Sequence, residues 1–315
     1  MKKVAFLFDV EWAFGSVHYE LFKYLWTVGY NCHLLTWAKS YTIEEMQELD
    51  KHIDFWVTTP EGCKFLENVY GISVERCVGI AHAKFDLENF ISKYDINDFN
   101  RFRNFGVVSS FLKDMSKELG IQREPIVCPV SINYHTYFGE PSKELKVIGY
   151  AGTYWERDSE MSKILESNSN KSMIQPGYKK RGYLIRECAE KAGLIFKVAQ
   201  QYHNTFVTMS GFYKTVDAVG IASLEEGAGL PSMEAGAAGK LVIGTPVGLW
   251  PTRVGDLGGI TVPIPEKEFV EQTVDILMYY KDRPREYQDK CYQIREHAKS
   301  YDWVNSLPEW ISVFR

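Results

Sequence analysis

The sequence predicts an α/β protein of two domains, on three observations. Apolar runs of strand length alternate with amphipathic helical segments along most of the chain. A polar stretch with Gly and Pro, "GEPSKEL" at 139–145, interrupts that alternation, which then starts again. The third is length: 315 residues are long for one core and comfortable for two. The expected domains are 1–142 and 143–299. The closing segment 300–315 is expected to cross back onto the first, because Trp303, Leu307, Trp310, Ile311 and Phe314 have helical spacing and need a partner surface.

The first element, "KVAFLFDV", follows two lysines as a secretory signal would. Asp9 and Glu11 break the apolar run at once and no small-residue cleavage site follows, so it reads as a strand. In "SVHYELFKYLWTVG", Val17, Leu21, Tyr24, Leu25 and Val28 share one helical face. "YNCHLLTW", "IDFWVTT" and "RCVGIAHA" read as strands, with the helical "EGCKFLENVYG" between the last two. "FGVVSS", "FLKDMSKELGI" and "PIVCPV" read as strand, helix and strand. In the second domain the strands are "KVIGYAG", "LIFKVAQ", "DAVGIAS" and "KLVIGTPVG". The helices are "YLIRECAEKAG", a short one around "SGFYKTV", "KEFVEQTVDILMYYKD" and "REYQDKCYQIREHAKS". Residues 154–180 form a polar interruption of a length that often carries function.

Composition excludes several classes. With 36 Lys and Arg against 41 Asp and Glu, the net charge of −5 gives no global attraction to nucleic acid. No apolar stretch approaches a membrane span. The basic clusters "RFRNF" and "KDRPR" read as solvated surface, with peripheral membrane contact left open. The six cysteines are scattered without a close pair, which favours reduced thiols and a cytoplasmic setting.

The chemistry concentrates in "EEGAGLPSMEAGAAGK", 225–240. Pro231 suits the first turn of a helix and Gly239 the residue just past its end. The stretch is then the loop and helix of a strand–helix–strand unit, at the carboxyl ends of the strands where open α/β sheets bind ligands. Gly227 and Gly229 let backbone amides approach an anion at the helix start. Glu226 and Glu234, seven residues between them, can turn toward one site, and a carboxylate matches a vicinal diol. Together these features suit a sugar nucleotide. The plainer alternative is a tight turn with solvated glutamates.

The stretch resembles the signature of the retaining glycosyltransferases of family 4, written around "EGFGLPxLEAMAxGxPVV" and standing here as "EGAGLPSMEAGAAGKLV". "FYKTVDAVGIAS", "VGLWPTRVGDLGGITVPI" and "YDWVNSLPEW" are similar to the segments around it and at the family's end, and "FGVVSSFLKDMSKELGI" and "PVSINYHTYF" to its domain-closing strand–helix–strand in spacing, so the resemblance covers most of 100–315. It implies the GT-B fold, two facing Rossmann-like domains with a cleft between them, the donor in the second and the acceptor in the first. It implies that Glu226 binds the transferred sugar and Glu234 the ribose, with the amides of Gly227, Ala228, Gly229 and Leu230 along sugar and diphosphate. A cation for the leaving diphosphate is implied at Lys180 or Arg181, Arg181 preferred for its bidentate fork. Thr153 follows the second domain's first strand, where the family often has Arg; Ala228 replaces its usual Phe. In the first domain, Gly15 and Ser16 supply the expected Gly-containing loop, and His82 the strand-end histidine that contacts sugar or aligns acceptor.

The activity implied is retaining transfer of a sugar, hexosyltransferase in type, from a nucleotide-sugar donor to a glycan or glycoconjugate. No cofactor is implied, and since no Asp-x-Asp motif occurs, no metal. His82 and Glu226 are the catalytic candidates. A non-catalytic sugar- or nucleotide-binding module and a sugar-nucleotide epimerase of related fold are the alternatives.

Overall fold

The structure, a computed structural model, describes residues 1–8, 12–154, 156, 179–199 and 208–315, with the side chains of 12–16 left aside. Most of the interruption expected at 154–180 therefore lies outside the described residues. The chain forms two compact units, Met1–Ser131 with Trp303–Arg315, and Ile132–Asp302.

Among the described residues the first unit carries six parallel strands: β1 (Lys2–Phe8), β2 (Tyr30–Thr36), β3 (Phe55–Thr58), β4 (Cys77–Ala81), β5 (Asn104–Val107) and β6 (Ile126–Val127). Their order is β2-β1-β3-β4-β5-β6. β3 and β4 are buried throughout, which is why they read as continuous apolar runs rather than alternating ones. Local chemistry sets the helix ends. Thr59 caps the helix Pro60–Tyr70 by accepting from the Gly62 amide, Pro60 occupies its first turn, and Gly71 at φ 70° closes it. The helix Trp12–Thr27 buries Val17, Leu21 and Leu25 as the spacing requires, but Val28 lies past its end and is exposed.

The helix Trp303–Val313 completes the first unit. It packs on the helix Trp12–Thr27 and on β5 and β6. Trp310 donates from Nε1 to the Pro129 carbonyl at 2.9 Å, and the hydroxyls of Ser306 and Ser131 lie 2.6 Å apart. Phe314 meets Phe6 edge-on at 5.9 Å and touches Tyr30 and Phe55. The buried face is Trp303, Ser306, Trp310 and Val313, while Leu307 and Ile311 are only half-buried.

The second unit carries β7 (Val147–Ala151), β8 (Ile195–Ala199), β9 (Ala218–Ile221), β10 (Leu241–Gly244) and β11 (Ile260–Thr261), parallel in the order β11-β10-β9-β7-β8. In both sheets the first strand sits between the second and third. The strand order therefore reverses at β1/β3 in one unit and at β7/β9 in the other, and at such reversals the strands' carboxyl ends open a crevice for ligands.

The division between units falls at Ser131, not at the polar stretch 139–145 that suggested 142. The reason is packing. Tyr134 and Tyr137 are buried, their short helix Tyr134–Tyr137 lies on the helix Leu230–Ala237, and the Gly139 amide donates to the Ala237 carbonyl at 3.3 Å. A Cβ at Gly139 would lie 2.8 Å from the Ala238 carbonyl oxygen, so the backbone approach there needs glycine.

Candidate functional site

The second unit's switch point gathers most of the expected donor-side residues. β9 ends at Ile221 and the chain runs through Ser223, Glu225 and Glu226 into the helix Leu230–Ala237. Gly229, at φ 84°, turns the backbone into that helix. Pro231 occupies its first turn, and Gly239, at φ 68°, follows its end. The Ser232 hydroxyl donates to the Gly229 carbonyl at 2.7 Å and fixes the entry. The loop after β10 supports this one from behind. Thr245 donates from its hydroxyl to the Ser223 carbonyl at 2.6 Å, and the Leu249 amide donates to the Ala228 carbonyl at 3.0 Å.

Glu226 is held on both oxygens. The Ser223 hydroxyl donates to Oε1 at 2.6 Å, and Lys180 Nζ forms an ion pair with Oε2. Beside it Lys179 pairs with Glu225. A backbone bond ties the two segments, the Leu224 amide donating to the Lys179 carbonyl at 2.8 Å. Lys180 and Glu226, expected to serve the diphosphate and the transferred sugar beside it, here hold each other.

Arg181 has a different environment from the one expected. It is 3% exposed, and its guanidinium donates from Nε to the Ala222 carbonyl at 2.6 Å and from Nη1 to the Ile264 carbonyl at 2.7 Å. Among the described residues it is the non-glycine residue with positive φ, 48°. That backbone turn sends its side chain inward while Lys180 stays half-exposed at the loop. Arg181 thus fastens the end of β9 to the segment before the helix Glu266–Lys281, and it is Lys179 and Lys180 that stand at the loop.

Glu234 is 5% exposed, with the Tyr213 hydroxyl donating to Oε2 at 2.7 Å. Burial pushes its carboxyl above the usual range, while bonds from Tyr213 and Tyr137 pull it back. Its carboxylate faces those tyrosines rather than an open surface. Thr153 lies two residues beyond β7, its carbonyl accepting from the Tyr150 hydroxyl at 3.1 Å.

In the first unit, His82 follows β4 at the carboxyl end of the sheet, as Phe8 ends β1. Asp86 accepts from the His82 and Ala83 amides at 2.7 and 2.9 Å, which holds the strand end against the start of the helix Lys84–Lys93. The His82 ring meets Phe8 and His18 edge-on at 5.4 and 5.3 Å, and His18 stacks on Phe8 at 3.9 Å. Burial pushes the His82 pKa down to about 3. The imidazole is therefore neutral at neutral pH, able to exchange hydrogen bonds but not to supply a cation. Gly15 and Ser16 fall inside the helix Trp12–Thr27, not in a loop before it, and their side chains lie outside the described residues. Among the described residues no group of three His, Cys, Asp or Glu side chains is placed to hold a metal, and no helix is long and apolar enough to cross a membrane.

Neither a protein-family model nor a curated protein matches the sequence. Solved structures do. Sucrose-phosphate synthase from Thermosynechococcus elongatus superposes with a TM-score of 0.66 at 12% identity, covering 100% of this chain and 98% of that one. Anabaena HepE in complex with UDP and glucose gives 0.64 at 12% identity, covering 99% and 98%. A glycosyltransferase from Rickettsia africae gives 0.61 at 13% identity, again covering 99% and 98%. The fold is that of GT-B glycosyltransferases.

Motif reading passes over several site residues. Ser223 stands three residues before Glu226, the reach of a serine hydroxyl across one turn. Gly248 reads as the turn residue closing "KLVIGTPVG", but only the fold shows its positive φ of 61° and that a Cβ there would lie 2.8 Å from Glu226 Cβ. Tyr213 and His18 are read as ordinary helix residues until their partners, distant in sequence, come into place.

Proposed function

We propose that the chain is a glycosyltransferase that takes a nucleotide-sugar donor at the carboxyl end of β9. The observation that carries this is the assembly of Ser223, Glu226 and Lys180 around a glycine loop that opens a helix, at the point where the strand order reverses. Each part has a task. The amides of Gly227 to Leu230 and the start of the helix Leu230–Ala237 present partial positive charge to the diphosphate. Lys180 supplies the full charge as the sugar–phosphate bond lengthens, so leaving-group stabilisation rests on protein groups rather than a metal. Glu226, fixed by Ser223, accepts from sugar hydroxyls. Glu234 reaches a ribose only by exchanging the Tyr213 hydroxyl for a ribose hydroxyl. His82, neutral at the end of β4, belongs to the acceptor side.

The solved structures of HepE with UDP and with UDP-glucose favour a nucleoside diphosphate in this position. Retention of configuration, a hexose as the transferred sugar and a glycan or glycoconjugate acceptor rest on the motif's resemblance alone. The test is a thermal-shift screen with UDP, GDP, ADP and TDP, followed by hydrolysis of the matching nucleotide sugars without acceptor. One diphosphate is expected to raise the melting temperature, and a ligand at a hundred times its dissociation constant adds about 2.7 kcal/mol. Slow nucleotide release from its sugar conjugate is expected next. Binding without release would make the chain a binding module; no shift with any of the four would end the donor reading.

A further inference from the structure

We propose that Glu226 and the diphosphate compete for Lys180, so that the pair discriminates an intact nucleotide sugar from the bare nucleoside diphosphate. This rests on the donor reading above and goes beyond it. Lys180 Nζ is paired to Glu226 Oε2, and the Ser223 hydroxyl holds the other carboxylate oxygen, so Glu226 is already oriented toward the lysine. The side chains are 30% and 12% exposed, less solvated than an ordinary surface pair and correspondingly less screened. The neighbouring cations give no simple substitute: Lys179 is paired to Glu225, and Arg181 is fastened to two carbonyls.

A bare diphosphate that draws Lys180 away leaves Glu226 as an uncompensated carboxylate close to new negative charge. A nucleotide sugar makes the same demand on Lys180 but returns something to Glu226, because its sugar hydroxyls donate to the freed oxygens. The carboxylate thus opposes retention of the product more than binding of the donor. This favours release after transfer.

The prediction is a gain of affinity from removing a binding-site charge. Glu226→Gln keeps the side chain's size and an oxygen for the Ser223 hydroxyl, yet frees Lys180. It should tighten the cognate nucleoside diphosphate by about three- to tenfold, the range set by a partly buried ion pair. The corresponding nucleoside, lacking phosphates, should bind unchanged. Glu226→Asp, one methylene shorter and so a poorer partner for Lys180 but still charged, is the second variant and should show a smaller gain. Lys180→Met should weaken the diphosphate, and in that background Glu226→Gln should bring only the smaller gain of removing like-charge repulsion.

The measurement is calorimetric titration of each protein with UDP, GDP, ADP and TDP and with the four nucleosides. Weaker or unchanged diphosphate binding in both Glu226 variants would overturn the proposal, as would an equal gain for the nucleoside. An undiminished gain in the Lys180→Met background would overturn it too, since the lysine would then not be the shared partner. If neither the natural protein nor Glu226→Gln binds any of the four diphosphates, the donor reading itself fails.

Discussion

At the scale of single residues, burial decides what each candidate can do. His82 is held in its neutral form, with a pKa of about 3 against an ordinary value of 6.5. Between those values the unfolded chain binds a proton that the native state does not, so stability is present above pH 6.5 and lost as pH falls toward 3. Asp86 runs the other way: burial raises its carboxyl to about 6, so its contribution is present at low pH and lost as pH rises through 6. Comparing His82→Gln with the natural protein isolates the histidine, because Asp86 is common to both. Between pH 7 and pH 5 the variant should lose about 2 kcal/mol less unfolding free energy than the natural protein. Urea unfolding at the two pH values checks this, and parallel losses in both proteins would show that His82 titrates normally. The same weighing of burial separates Lys180 from Arg181: adjacent in sequence, one is half-exposed at the loop and the other inside on backbone carbonyls.

At the scale of elements, the glycine loop is shaped by its neighbour as much as by its own residues. Gly248, in the turn after β10, has φ 61°, and a Cβ there would lie 2.8 Å from Glu226 Cβ and 2.9 Å from the Ala228 carbonyl oxygen. Gly255 has a similar φ of 47° with nothing within 4 Å. Ala at either position meets backbone strain of about 1–3 kcal/mol. Only Gly248→Ala should also push the loop aside. Both variants should melt lower, but only Gly248→Ala should lose nucleoside-diphosphate affinity as well. Equal binding by the two would mean the turn after β10 does not support the loop.

At the scale of the whole molecule, the first unit is built from both ends of the chain. Its sheet is made before Val127, yet Phe314 lies fully buried among Phe6, Tyr30 and Phe55, and Asn104 donates to the Val313 carbonyl at 2.8 Å. Phe314→Ala should therefore destabilise this unit by about 3–5 kcal/mol, the cost of removing a fully buried aromatic side chain. Val304, on the same helix and 60% exposed, should change stability by less than about 0.5 kcal/mol when replaced by Ala. Denaturant unfolding of the two variants gives the comparison. A small loss for Phe314→Ala would mean that the C-terminal helix is an accessory to the first unit rather than part of its core.

The strands, the helix Leu230–Ala237 and the glycine loop were legible in the sequence because their causes are local. Apolar runs bounded by turn residues become buried parallel strands, and Pro231 and Gly239 mark a helix by chemistry that needs no distant partner. The helix Ile43–Asp50, which the sequence reading passed over, has an equally local cause in Thr42 and Glu45, which bond reciprocally at its start. The spacing of Glu226 and Glu234 placed two carboxylates near one loop but could not say what each would face. Tertiary contacts made those decisions. Glu234 went under Tyr213, Lys180 to Glu226, and Arg181 to carbonyls on segments more than forty residues away in the chain. The unit boundary moved to Ser131 because Tyr134 and Tyr137 found a surface on the helix Leu230–Ala237. Backbone conformation follows from neighbours along the chain, whereas the partner of a charge or a buried ring is whatever the fold brings within a few ångströms of it.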